Sequence, residues 1–219
     1  MPYAKSLSTS TRILDSALDL FRTKGFEQTT MRDVAAAAGM ATGAAYHHFA
    51  SKDAMVMAFY QRACDEMQPL IESALADARG LEQKLSALIR AKLQYFEPNR
   101  AVLKALLKNG ADPQHPLSPF SRETRAIRAT DIAWFGRILD VVSMPRDLAP
   151  HMAEMLWLFQ MGVIYFWITD TSSKQKRTAK LLETSVRLVV LLIKLANLPL
   201  SRPLRKPVLQ LIEITKGEA

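Results

Sequence analysis

The sequence predicts an all-α protein, and three observations carry that expectation. Apolar residues recur with a period near 3.6 along most of the 219 residues. No segment sustains the period-two alternation of a half-buried strand. Turn signals punctuate the helical runs at Gly25, Gly39, Gly80 and Pro98, and in "NGADPQHPLSP" (109–119), "MPRDLAP" (144–150), "DTSS" (170–173) and "NLPLSRP" (197–203). Apolar residues make up 49% of the chain, enough to build an ordinary core.

The first helix carries one apolar stripe, Ile13, Leu14, Ala17, Leu18, Leu20 and Phe21. Ser10 or a neighbouring hydroxyl is expected to accept the free N–H groups at its start. With Lys24 as the last helical residue, Gly25 takes the left-handed conformation, and Phe26 folds back over Phe21. Thr30, followed three residues later by Asp33, then opens a second helix with a short-armed capping box. Met31, Val34, Ala35 and Ala38 form its inner face, and Gly39 stops it. Two helices this short would each be marginal alone, so they must pack together. Helix, tight turn, helix is an arrangement used to read DNA.

The next helix, from Thr42 to Phe49, is read by its turn of 3.6 residues. Ala45 and Phe49, four positions apart, share the inward face. Gly43 and His47, also four apart, fall with Ala44 on the opposite side, and Tyr46 and His48 flank that outer side. A surface of glycine, alanine and imidazole buries little, but it lets a helix backbone sink into a major groove. Gly43 in the first turn costs up to ~1 kcal/mol against alanine, which asks for a reason such as close approach. Lys52, following Ser51 as the cap of a fourth helix, sits where the helix dipole is already positive and would welcome an anion such as a phosphate.

Residues 12–56, "RILDSALDLFRTKGFEQTTMRDVAAAAGMATGAAYHHFASKDAMV", resemble the N-terminal domain of the TetR/AcrR family of transcriptional regulators. The shared marks are Lys24-Gly25-Phe26, Thr29-Thr30, Arg32-Asp33-Val34-Ala35, Ala38-Gly39, Gly43, Tyr46-His47-His48-Phe49 and Ser51-Lys52. The resemblance implies a helix-turn-helix DNA-binding domain at 1–56 and a larger helical effector-binding and dimerisation domain at 57–219. It implies a homodimer on a pseudo-palindromic double-stranded operator, with residues 42 to 49 in the major groove. Thr30, Tyr46 and Lys52 would then contact phosphates, and Arg32, Thr42, Gly43, Ala44 and His47 would lie nearest the base edges. The sequence departs from the family pattern at Ala41, where a serine cap is usual, at Ala44, where a polar group is common, and at Ala45, where leucine fills the core. Without a cap at Ala41 the helix loses ~1 kcal/mol unless Thr42 takes over by shifting the start one residue. Methionines at 31, 40 or 55 can occupy the volume that Ala45 leaves. Base reading then falls mainly to Arg32, His47 and DNA shape.

Beyond residue 51, helices are expected near 51–78, 81–96, 99–109, 118–143, 147–169 and 174–197, with a short one near 204–215. The pair 147–169 and 174–197 is apolar nearly all round, so it is assigned to a dimer interface as well as the core. In the resembled family, the last long helices of two subunits form a four-helix bundle. Tyr95, Phe96, Trp134, Phe135, Met155, Trp157, Phe159, Met161, Tyr165, Phe166 and Trp167 are candidates to line a pocket for a small apolar effector, with core or interface as the competing role for each. The family's mechanism would have effector binding shift the 51–78 helix and weaken operator affinity, a coupling that must run both ways.

Charge and motifs bound the alternatives. The net charge of +8 lies mostly outside residues 1–60, which hold six Lys/Arg against five Asp/Glu, so composition alone argues weakly for DNA. The single cysteine, Cys64, forms no internal disulfide, and no signal peptide is recognised, which predicts a cytoplasmic protein. The apolar runs at 155–169 and 188–198 fall short of the roughly 20 residues of a bilayer span, so no membrane partner is expected. His47 and His48 are adjacent and cannot chelate one metal. His115 and His151 lie in Pro-rich connections without other ligands and are expected at the surface. No metal, cofactor or catalytic group is assigned, since there is no phosphate-cradling glycine loop and no glycine-flanked nucleophile. Two other readings stay open: a helical interaction module without DNA binding, and a small-molecule-processing enzyme.

Overall fold

The computed structural model describes residues 2–110 and 112–201 together with 203, 205–207, 209 and 210. Among the described residues there is no β-strand, and nine α-helices are delimited. They are α1 (Pro2–Thr23), α2 (Met31–Ala37), α3 (Thr42–His48), α4 (Lys52–Ala76), α5 (Gly80–Phe96), α6 (Arg100–Gly110), α7 (Arg125–Leu139), α8 (Ala149–Thr169) and α9 (Lys176–Ala196). Short 3-10 turns at Glu97–Asn99, Ser173–Gln175 and Pro199–Ser201 join or end them. The chain divides into two compact units, Met1–Gln68 with Gln94–Ala129, and Pro69–Leu93 with Thr130–Ala219. The first division falls at Pro69, a proline inside α4 that has no N–H to donate to the preceding turn.

In the first unit the stripe of α1 does what its spacing requires. Ile13, Leu14, Ala17, Leu18 and Phe21 are buried, with Leu20 partly so, against Met31, Val34 and Ala35 of α2 and Ala45 of α3. Met55, Val56 and Phe59 of α4 complete this core. Val102 and Leu106 of α6 and Leu117 of the following loop join it as well, so the unit reaches past residue 56.

Two elements differ from expectation, each for a local reason, and a third lies largely outside the described residues. Helix α1 begins at Pro2 rather than near Ser10, and proline at a first helical position fits because its missing N–H would have no intrahelical partner. The helix expected over 118–143 spans only Arg125–Leu139. Before it, Ser118 Oγ donates to Gly110 O (2.9 Å), Ser121 Oγ to Pro116 O (3.0 Å) and Thr124 Oγ1 to Ser118 O (2.7 Å), so buried hydroxyls hold backbone groups that a helix would need. The helix expected at 204–215 falls largely outside the described residues; 205–207, 209 and 210 are helical.

In the second unit α8 buries Met152, Leu156, Trp157, Gln160, Val163, Trp167 and Ile168 on one side. Its 21 residues are long and apolar enough to cross a bilayer, but Gln160 at mid-helix is buried and hydrogen-bonded inside the unit, as a core helix requires. Asp170 then turns the chain into α9. Its carboxylate accepts from Ser172 N (2.9 Å), Thr178 N (2.9 Å) and Thr178 Oγ1 (2.7 Å). Burial pushes the Asp170 pKa up, but the bonds from Thr178 and Ser172 outweigh it and hold the carboxyl below its usual range. Helix α9 buries Leu182, Val186, Val190 and Ile193 on one face, while Leu188, Leu191, Leu192 and Leu195 stand about half exposed.

Candidate nucleic-acid interface

The α2–α3 pair is built from turns that the sequence specifies. Gly25 has φ +94°, where only glycine is unstrained, and the Phe21 and Phe26 rings meet edge to face at 5.0 Å beyond it. At the start of α2, Thr30 Oγ1 accepts from Asp33 N (3.1 Å) and Asp33 Oδ2 accepts from Thr30 N (2.8 Å), a reciprocal capping box. Lys24 Nζ reaches the same carboxylate at 2.7 Å. The Lys24 hydrogen bond first, and those of Thr30 next, hold the Asp33 carboxyl well below the usual range. Arg32 is exposed on this first turn.

Helix α2 ends in a Schellman motif. Met40 N donates to Ala35 O (2.9 Å) and Gly39 N to Ala36 O (3.1 Å), with Gly39 at φ +67°. The turn throws the chain into α3, whose N-cap Ala41 makes no side-chain bond. Thr42 does not take over the cap: it is the first helical residue, and Ala41 O receives Ala44 N at 3.0 Å.

Within α3 only Ala45 is buried, at 0% exposure. Gly43, Ala44 and His47 are exposed, Tyr46 is 52% exposed, and Thr42 is half-buried. A Cβ added at Gly43 would meet nothing within 4 Å, so internal packing does not require glycine there. Met31 and Met55 are buried in the cluster that encloses Ala45, and Met40 packs against it, which is the methionine filling that a short core side chain calls for. His48, half-buried on the flank, shares a 3.0 Å hydrogen bond between its Nδ1 and Ser10 Oγ, tying the end of α3 to α1.

Ser51 caps α4 as expected, accepting from Ala54 N at 3.1 Å. Lys52 is turned differently from a lysine reaching outward. Its Nζ donates to Phe26 O (2.6 Å) and Glu27 O (3.4 Å) and lies 4.5 Å from the Phe26 ring centroid. These carbonyls and the Phe26 ring hold the ammonium, so Lys52 fastens α4 to that turn.

The aromatic candidates for an effector pocket belong to both units. Tyr95 Oη donates to Glu66 Oε2 at 2.6 Å, and burial followed by the Glu66 carboxylate pushes the phenol upward. Phe96 packs edge-on against Phe59 and Tyr95, in the first unit. In the second unit Trp134 and Trp157 are buried, while Met155, Phe159 and Tyr165 are half-buried, with burial raising the Tyr165 pKa. His115 and His151 are half-buried rather than at the surface; His115 Nδ1 accepts from Leu117 N, and His151 lies in the first turn of α8.

Sequence reasoning missed one polar group of the second unit. Lys92, 2% exposed, donates to Asp131 Oδ1 and to Gln160 Oε1 (2.6 Å), and Gln160 Nε2 donates to Asp131 Oδ2 (2.8 Å). The signal was present: Lys92 continues the buried stripe of Leu85, Leu88 and Ile89 on α5, and Gln160 interrupts the most apolar run of the chain.

Residues 13–59 match the family described as bacterial regulatory proteins, tetR family. Residues 84–208 match the tetracyclin repressor-like C-terminal domain. The HTH-type transcriptional repressor KstR2 of Rhodococcus jostii is 31% identical over 93 residues, 42% of this chain and 46% of that protein. The HTH-type transcriptional activator FasR of Mycolicibacterium smegmatis is 23% identical over 147 residues, 66% of this chain and 64% of that protein. The match to KstR2 thus spans about half of that relative's length. Among solved structures, the fatty acid degradation regulator FadR from Bacillus halodurans superposes with a TM-score of 0.62 at 16% identity, covering 81% of this chain and 94% of that one. A tetR-family regulatory protein from Rhodococcus RHA1 gives 0.55 at 23% identity, covering 83% and 96%. These likenesses show the fold. With its N-terminal helices and residues 84–208 both matched, the chain belongs to the tetR family of bacterial regulatory proteins.

Proposed function

We propose that the protein is a cytoplasmic, homodimeric transcriptional repressor that binds a pseudo-palindromic DNA operator and is released by a small effector with an apolar body. Residues 1–56 read DNA, and residues 57–219 carry effector binding and dimerisation. One observation supports this most: α3 buries Ala45 alone and exposes a ridge of Gly43, Ala44 and His47, with open space over Gly43. Such a ridge contributes nothing to the core, and its narrow profile suits a groove about 12 Å wide. Arg32, Thr42 and His47 face the bases, with Thr30, Tyr46 and the half-exposed Lys52 beside phosphates.

The dimer reading rests on α9. Its buried residues and its four exposed leucines lie on opposite sides of one helix, so the outer side needs a second apolar surface. A two-fold pairing of this face presents α3 twice, and half-sites about 34–36 Å apart follow from one turn of DNA.

Selection of bound DNA from a random pool with the full-length protein tests the reading. An enriched inverted repeat whose affinity falls steeply with added salt is expected. Absence of any enriched sequence at low salt would overturn it in favour of an interaction module.

A further inference from the structure

We propose that Lys92, Asp131 and Gln160 form the head-group end of the effector site, and that it takes a monoanionic amphiphile, an apolar body ending in a carboxylate, which displaces Asp131 from the Lys92 ammonium. The inference rests on the effector-controlled reading above and names the chemistry of its ligand.

Three features of the cluster lead there. First, it joins three helices of one unit, with Lys92 on α5, Asp131 on α7 and Gln160 on α8. Among the described residues Lys92 is the one buried cation. A buried ion pair adds little stability over well-packed apolar residues of similar volume, whereas a lone buried charge is costly. Exchange of Asp131 for another anion keeps an ion pair at Lys92 and avoids that cost.

Second, the three members differ in access. Lys92 and Gln160 are 2% and 1% exposed, while the Asp131 side chain keeps 22% of its surface in contact with solvent. Asp131 alone can leave the interior and recover hydration at low cost. An incoming carboxylate exchanges with it one charge for one, accepts from the Lys92 ammonium and the Gln160 amide, and leaves no ion unpaired.

Third, the surroundings decide what the anion must be attached to. The Phe135 ring centroid lies 5.2 Å from Lys92 Nζ. Leu88 and Ile89 precede Lys92 by one turn on its buried face, and Leu156 and Val163 stand one turn either side of Gln160, all buried. A free inorganic anion gains nothing from that lining, and an apolar body does. Because Asp131 belongs to α7, its displacement alters what holds α7 to α5 and α8, the differential contact that an effector needs to favour one conformer.

The test uses the full-length protein and three probes with one apolar body, decanoate, decan-1-ol and decylammonium, each below its micellar or solubility limit. Binding is read from tryptophan fluorescence, since Trp134, Trp157 and Trp167 are buried in the same unit, and release is read from a labelled operator. Decanoate should bind at least about tenfold tighter than the other two and alone release the operator. Asp131→Asn should tighten decanoate binding severalfold, because the competing carboxylate is gone, and Lys92→Met should abolish the preference. Should either single variant fail to fold, Lys92→Met with Asp131→Leu and Gln160→Leu provides an apolar replacement expected to stay folded; it should bind operator and bind decanoate no better than decan-1-ol. Equal binding of acid and alcohol by the unaltered protein, weaker decanoate binding by folded Asp131→Asn, a preference that survives the triple replacement, or no binding of any probe would each overturn the proposal. Operator binding without ligand is measured first: its absence would count against the regulator reading, whereas intact operator binding with carboxylate indifference counts against this inference alone.

Discussion

Gly43 concentrates the physical argument for DNA reading into one atom that is missing. Glycine in a helix costs up to ~1 kcal/mol against alanine, and nothing inside the protein occupies the space a Cβ would take. Gly43→Ala should therefore raise the thermal unfolding midpoint while lowering operator affinity; unchanged affinity would mean that the glycine serves no close approach. Arg32→Ala and His47→Ala, both at exposed positions, should each weaken the selected operator by about 1–3 kcal/mol and relax preference at particular base pairs. Lys52 calls for a different expectation because its ammonium is bonded to Phe26 O. Lys52→Met should lower stability as well as DNA affinity, separating it from Arg32 in unfolding measurements. Asp33 supplies a pH dependence with a definite sign. Its carboxyl is held below the ordinary range in the folded chain, so its contacts favour folding above about pH 4 and lose that effect as pH falls further. Asp33→Asn should flatten the acid side of a stability-against-pH curve, and an unaltered acid limb would contradict the assignment.

Short helices succeed here because their ends are specified. Helix α2 has a reciprocal cap at Thr30 and a Schellman ending at Gly39, whereas α3 starts at Ala41 without a side-chain acceptor. Ala41→Ser should stabilise the protein by ~1 kcal/mol and Thr30→Ala should destabilise it by a similar amount, with Thr30→Ser nearly neutral, in chemical unfolding. The ends of α2, the cap at Ser51 and the aromatic contact across Gly25 were legible in the sequence because each depends on residues within six positions of one another. The non-helical run at 118–124 was not, since Ser118, Ser121 and Thr124 look like ordinary surface residues until tertiary burial makes their hydroxyls bond to backbone. Periodicity also hid Lys92: a lysine on an apolar stripe reads as a snorkelling edge, and Asp131 and Gln160, which it meets, lie 39 and 68 positions away.

Assembly brings these pieces into one mechanism. Alone, each chain offers one α3 ridge and leaves Leu188, Leu191, Leu192 and Leu195 of α9 about half exposed; the proposed dimer would offer two ridges. If the proposed dimer forms through this face, Leu192→Glu with Leu195→Glu should give a monomer in sedimentation and reduce operator affinity on the order of 100-fold through lost avidity, while each unit stays folded. Contact with DNA itself is read most directly by photochemical cross-linking of the full-length protein to its selected operator, with iododeoxyuridine replacing thymidine so that the reactive atom projects into the major groove. Cross-links recovered by mass spectrometry within residues 42–47, at both halves of the repeat, are the expected result. Cross-links confined to other parts of the chain, with α3 unmarked at every substituted position, would contradict the reading of α3 as the helix in the groove.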